Sequence, residues 1–249
     1  MRLKRAQHHI RDLKREIDVF MADEPWTKIV EVDAEGVFKE HKLRFTREFP
    51  DDLCLITADA LHNLRSALDQ CGCAAAQASG VCAPESSAFP FGKTADGVLN
   101  CAKGRSKDIP PDIVALMCAF KPYETGNPIL YALNTIRNVN DHALLKPVGA
   151  CVPSVSIMAR TQAANVPFLI PSGARWFPDK NEIVFALSKA NEPDAEYKFE
   201  IHVAVAFGEV GVIAGHPAFG VLGNMTRMVD EIIKDIETAT RRLFPNAFT

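Results

Sequence analysis

Leu3, Ala6, Ile10, Leu13, Ile17 and Phe20 recur at alternating spacings of three and four, and Leu222, Met225, Val229, Ile232, Ile236, Ala239 and Leu243 repeat that rhythm far down the chain. A stripe of this period is one apolar face of a helix and has to be buried against something. Two helices with matching stripes predict a bundle closed by both of them. The first should stop near Asp23, Glu24 and Pro25, and the last at Pro245.

Between the stripes the rhythm changes several times. Lys28 to Asp33 and Lys42 to Arg47 alternate in strand fashion around a turn at Asp33–Gly36, which predicts a hairpin. A long helix is expected from Asp52 to Ala78, with Leu61, Leu64, Leu68, Cys71 and Ala75 on its seam, followed by a Pro-, Ser- and Gly-rich loop from Gly80 to Lys93. Short helices are expected over Asp96–Lys103 and Pro111–Phe120, and another from Asn127 and Pro128 to about Leu144. Val155–Met158, Ile183–Leu187 and Phe199–Phe207 then read as strands, with a turn at Pro178–Asn181. The expected class is α+β: a helical bundle closed by N- and C-terminal helices, with a small hairpin and an inserted antiparallel β-sheet. Residues 1–148 plus 217–249 would form the bundle, including hairpin 28–47, and residues 149–216 the inserted sheet region.

Composition restricts the function classes. With 28 basic and 31 acidic residues in 249, the net charge of −3 gives no global attraction for nucleic acid, so any such contact has to be local. A chain of this length buries a core without metal or cofactor, and none is expected. No apolar run approaches the roughly 18 residues of a membrane span, so no membrane partner is expected. Seven cysteines, an odd number, and an opening of Met1-Arg2-Leu3-Lys4-Arg5 lead to the expectation of a reducing, cytoplasmic location. Cys71, Cys73 and Cys82 lack the paired C-x-x-C spacing of a zinc site and read as buried or half-buried thiols acting as small hydrophobes.

Two segments carry the candidate chemistry. On a helix, His62, Arg65 and Asp69 fall within a sector of about 60° beside the leucine seam. Further on, Asn134, Asn138 and Asp141 form a stripe with His142 beside it, while Asn140 falls among apolar positions and needs a polar partner. The helix of residues 52–78 could supply that partner. The other histidines, His8, His9, His41, His202 and His216, read as solvated or structural. Arg2, Lys4, Arg5, Arg11, Lys14 and Arg15 form a basic face on the first helix. That face could meet phosphate or simply face solvent, and its position at a helix start opposes the helix dipole.

The decamer Ala60-Leu61-His62-Asn63-Leu64-Arg65-Ser66-Ala67-Leu68-Asp69 resembles a group of uncharacterised bacterial proteins. Phe89-Pro90-Phe91, Lys121-Pro122-Tyr123 and Asn138-x-x-Asp141-His142 add to the likeness. In that group histidine is more frequent where this chain has Gln70, and lysine where it has Asp141. More distantly, Arg137-Asn138-Val139-Asn140-Asp141-His142 is similar to the R-x4-6-H signature of the HEPN superfamily, helical bundles whose Arg, polar residue and His form a metal-independent RNase site at a dimer interface. Arg65 to Gln70 has the same spacing without the histidine. The resemblance implies RNA binding or cleavage by a homodimer, with Arg65, His62, Asp69, Arg137, Asn138 and His142 as catalytic candidates and with activity lost if the position of Gln70 was the catalytic one. Such cleavage needs a group titrating near neutrality and a cation for the phosphorane charge. Two other readings stand beside it. The polar residues could be a structural network in an oligomeric, partner-binding protein. Alternatively, Asp59, His62, Asp69, Asp141 and His142 could hold a metal or small ligand.

Overall fold

The computed structural model describes residues 2–48, 50, 52–138, 155–158, 175–191, 198–201, 207, 213 and 216–248. Six helices and six strands are described: α1 (Arg2–Ala22), β1 (Trp26–Val32), β2 (Phe38–Phe45), α2 (Asp52–Ala78), α3 (Ala95–Arg105), α4 (Pro111–Ala119), α5 (Pro128–Asn138), β3 (Val155–Met158), β4 (Arg175–Phe177), β5 (Glu182–Lys189), β6 (Lys198–Ile201) and α6 (Ala218–Leu243). The fold is α+β, as expected.

The stripe residues do what their spacing requires. Ala6, Leu13, Ile17 and Phe20 of α1 are buried, as are Leu222, Met225, Val229, Ile232 and Ile236 of α6. Helix α2 is the centre of the bundle and packs against α1, α5 and α6. Its seam residues Leu61, Leu64, Leu68 and Ala75 are buried in the same core as the stripes of α1 and α6. Arg2 at the start of α1 reaches Asn63 in the middle of α2, whereas Phe20 at its end lies beneath the guanidinium of Arg47, just ahead of α2. The two helices are therefore antiparallel.

The Cys71–Cys73 stretch is explained by the glycine between the two cysteines. A Cβ on Gly72 would stand 2.3 Å from the carbonyl oxygen of Ser87, so the loop after α2 can fold back onto that helix only where a side chain is missing.

The hairpin extends into the second half of the chain. The larger sheet has the order β1-β2-β5-β4, antiparallel throughout, with β2 pairing along β5 from Phe38 opposite Lys189 to Arg44 opposite Glu182. β3 and β6 form a separate two-stranded ladder. Hairpin 28–47, expected to belong with the bundle, is thus hydrogen-bonded to the region expected to be the inserted sheet. The sheet's buried residues Leu43, Phe45, Ile183, Val184, Phe185 and Ala186 lie outside the bundle's core cluster. The 3₁₀ turn at Pro178–Lys180 and Asn181, with φ of 53°, connects β4 to β5 where a turn is expected.

The expected extension of α5 to Leu144 and of the last strand to Phe207 falls largely outside the described residues. No helix among the described residues is long and apolar enough to cross a membrane.

Candidate functional site

The decamer on α2 separates two environments on opposite faces of one helix. Arg65 is 2% exposed although it carries a full charge. Its guanidinium donates to the carboxylate of Asp69 one turn on, to Asn134 Oδ1 of α5 at 3.3 Å and to the carbonyl oxygen of Phe89 at 3.4 Å, and it lies over the Phe91 ring at 4.3 Å from the centroid. Asp69 Oδ1 also accepts the backbone N–H of Phe89 at 2.9 Å. Next in the same loop, the N–H of Gly92 donates to the carbonyl of Pro122 at 3.2 Å. The decamer, the Phe89–Phe91 segment, the Lys121–Tyr123 turn and α5 are therefore joined around one arginine. Planar, fork-shaped Arg suits this role, because it can stack on an aromatic face while donating in several directions.

His62 is not part of this cluster. It is exposed and faces Ser66, with Nε2 at 3.4 Å from the Ser66 hydroxyl. The sector of about 60° that His62 shares with Arg65 and Asp69 runs from solvent into the core, so neighbours on the helical wheel differ completely in accessibility. Asn63, nearly opposite Arg65 on α2, is buried; it donates to the Asp59 carbonyl at 2.8 Å and accepts from Arg2 at 3.4 Å.

Facing helices α2 and α5 do meet, through Arg65 and Asn134. Arg137 and Asn138 are the last described residues of α5; Asn140, Asp141 and His142 lie outside the described residues, as does His202. Among the described residues no three His, Cys, Asp or Glu side chains come together as metal ligands. Asp59, His62 and Asp69 thus do not form such a group by themselves.

The feature that wheel geometry alone could not supply is a cleft of about 740 Å³ between the first half of α1 and α2. Arg2, Lys4, Arg5, His8 and Arg11 line one side of it, and the amides of Asn63 and Gln70 the other. Charge is divided unevenly along α1. Toward its end Lys14 pairs with Asp18 at 2.6 Å, and Arg15 pairs with Asp12 and Glu16 at 3.1 Å each. No carboxylate among the described residues pairs with Arg2, Lys4, Arg5 or Arg11. No acidic residue occupies the first turn, so Arg2, Lys4 and Arg5 also oppose the positive end of the helix dipole.

A second ionic cluster lies on the sheet. Lys42 Nζ is 2.7 Å from Glu40, 3.0 Å from Glu31 and 3.7 Å from Glu182, and Arg44 bridges Glu31 and Glu182. Burial pulls the Lys42 ammonium down, but hydrogen bonds to Glu40 and Glu31 outweigh it and raise its pKa. The hydrogen bond from Lys42, reinforced by its charge, holds Glu31 below the ordinary carboxylate range. On the same strand, His41 Nε2 is 2.9 Å from the Ser188 hydroxyl with both residues buried, so His41 is structural.

The molecule is thus an α+β protein with a buried arginine clamp on one face of its central helix and a cationic cleft on the other. Compared with protein-family models, with curated proteins and with solved structures, the chain matches none of them.

Proposed function

We propose that this protein binds single-stranded RNA through the cationic cleft between α1 and α2, as a HEPN-like bundle in which Arg65 and Asp69 serve the fold rather than cleavage. The observation that carries the reading is the set of four cations that no carboxylate among the described residues pairs with, Arg2, Lys4, Arg5 and Arg11, on one side of a formed cleft in a protein of net charge −3. Four such charges along one cleft wall, three of them in the first turn of α1, are an unfavourable arrangement that an anionic ligand relieves. Asn63 and Gln70 add neutral amides on the opposite wall, suited to hydroxyl and base-edge contacts. Arg65 is unsuited to a phosphorane, because its guanidinium is buried and already used in four directions.

Fluorescence anisotropy with a labelled mixed-sequence RNA at low salt tests the reading. Binding should fall at least tenfold in the Arg5→Glu, Arg11→Glu double variant, whose side chains lie outside the core. A wild-type protein that does not bind, or a double variant that binds equally well, overturns it. Intact RNA after prolonged incubation is the expected result for cleavage; products that disappear in His142→Ala would restore the nuclease role.

One observation favours a second reading, self-association. Among the described strands β1 pairs only with β2, and Val30 and Val32 on one of its faces are 49% and 56% exposed. An open strand edge beside exposed valines is a ready template for a second chain. Sedimentation equilibrium tests it: a dimer that dissociates in Val30→Lys, Val32→Lys supports pairing at β1, and a wild-type monomer rejects it.

A further inference from the structure

Arg11 lines a second cleft as well as the first. On the other flank of α1 a cleft of about 560 Å³ is bounded by Gln7 and Ile10 of α1 and by Gly223, Thr226, Arg227 and Asp230 of α6. Helix α1 is therefore a ridge with a groove on each side and one arginine belonging to both.

The α6 wall of the second groove carries its own features. Arg227 supplies a further exposed cation, while the one carboxylate, Asp230, is already paired with Lys234 at 2.6 Å. Gly223 lies inside a long helix, where glycine is unfavourable relative to alanine. Packing does not require it: a Cβ built there meets nothing within 4 Å, in contrast to Gly72. The bare backbone at Gly223 deepens the groove and allows a ligand to approach the helix closely.

We infer that the two clefts are successive parts of one track for a phosphodiester chain, crossing α1 at Arg11 and running onto α6 past Arg227 and Gly223. The inference rests on the RNA-binding reading above and extends it from a phosphate site to a polymer site. A ligand carrying one phosphate needs only one of the clefts. A ligand with regularly spaced charges can engage Arg2, Lys4 and Arg5 on one side, Arg11 on the crest and Arg227 on the other.

The test compares a strand of about four nucleotides with one of about 12, a span within the site sizes of single-strand binders. Length alone does not decide, because a longer strand offers more registers; the variants do. Arg227→Ala and Gly223→Leu should weaken binding of the long strand at least fivefold and leave the short strand within twofold of wild type. Circular dichroism and thermal melting should show Gly223→Leu folded and no less stable, since leucine is the better helix former, position 223 is exposed and a Cβ there meets nothing within 4 Å. A long strand unaffected by both variants overturns the track while leaving the first cleft in place. Loss of binding to both lengths in wild type removes the RNA reading itself. Polyglutamate of matched charge number should compete poorly, and equal competition would overturn the assignment to a nucleic acid.

Discussion

The guanidinium of Arg65 lies 4.3 Å above the centre of the Phe91 ring, so a charge that sequence spacing would place at a helix edge serves as the plug between a helix and a loop. Its other contacts reach Asp69, Asn134 and Phe89.

Replacing Arg65 should therefore be a stability mutation. Arg65→Ala removes the stacking and leaves the Phe89 carbonyl and the half-buried Asp69 without their cation, at a cost of about 3 kcal/mol. Arg65→Lys should recover less than half of that, because an ammonium cannot donate in the same fork. Urea unfolding followed by circular dichroism measures both. If Arg65→Ala unfolds at the wild-type midpoint, the clamp is not structural.

Salt should report the number of cations engaged. With four phosphates neutralised in the first cleft, log K against log salt for single-stranded RNA should have a slope of about −3. Arg5→Ala should make that slope shallower by about 0.7. A slope near zero would mean that the cations in the cleft are not in contact with the ligand.

The sheet cluster predicts the pH dependence of stability. Glu31 has a lowered pKa in the fold, so its contribution is present above the unfolded carboxylate value and fades as pH falls through the folded one. Lys42 has a raised pKa, so its contribution holds below the unfolded value of 10.5 and fades as pH rises through the folded one. Unfolding midpoints should thus be flat between the two limits and drop on either side. Lys42→Met should abolish the alkaline drop assigned to this lysine and reduce the acid one, since Glu31 then loses its largest partner. Unchanged acid sensitivity in that variant would dissociate Glu31 from acid unfolding.

The cysteines should separate by reactivity. Burial pushes the Cys71 thiol up to about 12, with the Glu237 carboxylate adding to the shift, so almost no thiolate forms near neutrality. Cys82 is exposed on the loop after α2. Iodoacetamide at pH 8 followed by peptide mass spectrometry should find Cys82 labelled well before Cys71, and all seven cysteines labelled in urea. Early labelling of Cys71 would contradict its packing.

Two glycines in helices should respond in opposite directions. Gly72→Ala drives a methyl group into the Ser87 carbonyl and should cost about 1–3 kcal/mol. Gly220→Ala places one in open space and should gain up to about 1 kcal/mol. Thermal melts of the two variants, compared with wild type, test the pair directly.

The parts of the molecule governed by local rhythm were legible in the residues themselves. The stripes of α1 and α6 and the seam of α2 each follow from a period that the backbone imposes, whereas β5, buried from Glu182 to Ala186, was legible as a continuous apolar run. The pairing of β2 with β5 was not, because Arg44 and Glu182, 138 residues apart, leave no periodic trace of their contact. The role of Arg65 was hidden for a similar reason: its position on α2 was readable, but not that the Phe89–Phe91 loop would fold over it. The basic face of α1 was visible from spacing, but Lys14 and Arg15, counted in it, are paired with Asp18 and with Asp12 and Glu16. What required the fold was the wall opposite that face, supplied by Asn63 and Gln70.

The ladder between β2 and β5 also sets an order of events during synthesis. Residues of α1, the hairpin and α2 leave the ribosome long before Glu182–Lys189 exist, so through much of translation β2 presents an unsatisfied row of backbone donors and acceptors. A nascent chain halted, or a fragment cut, anywhere between α2 and β5 retains that open edge and is prone to pair with its neighbours. Removing residues 149–216 would therefore strip the hairpin of the strand that completes it.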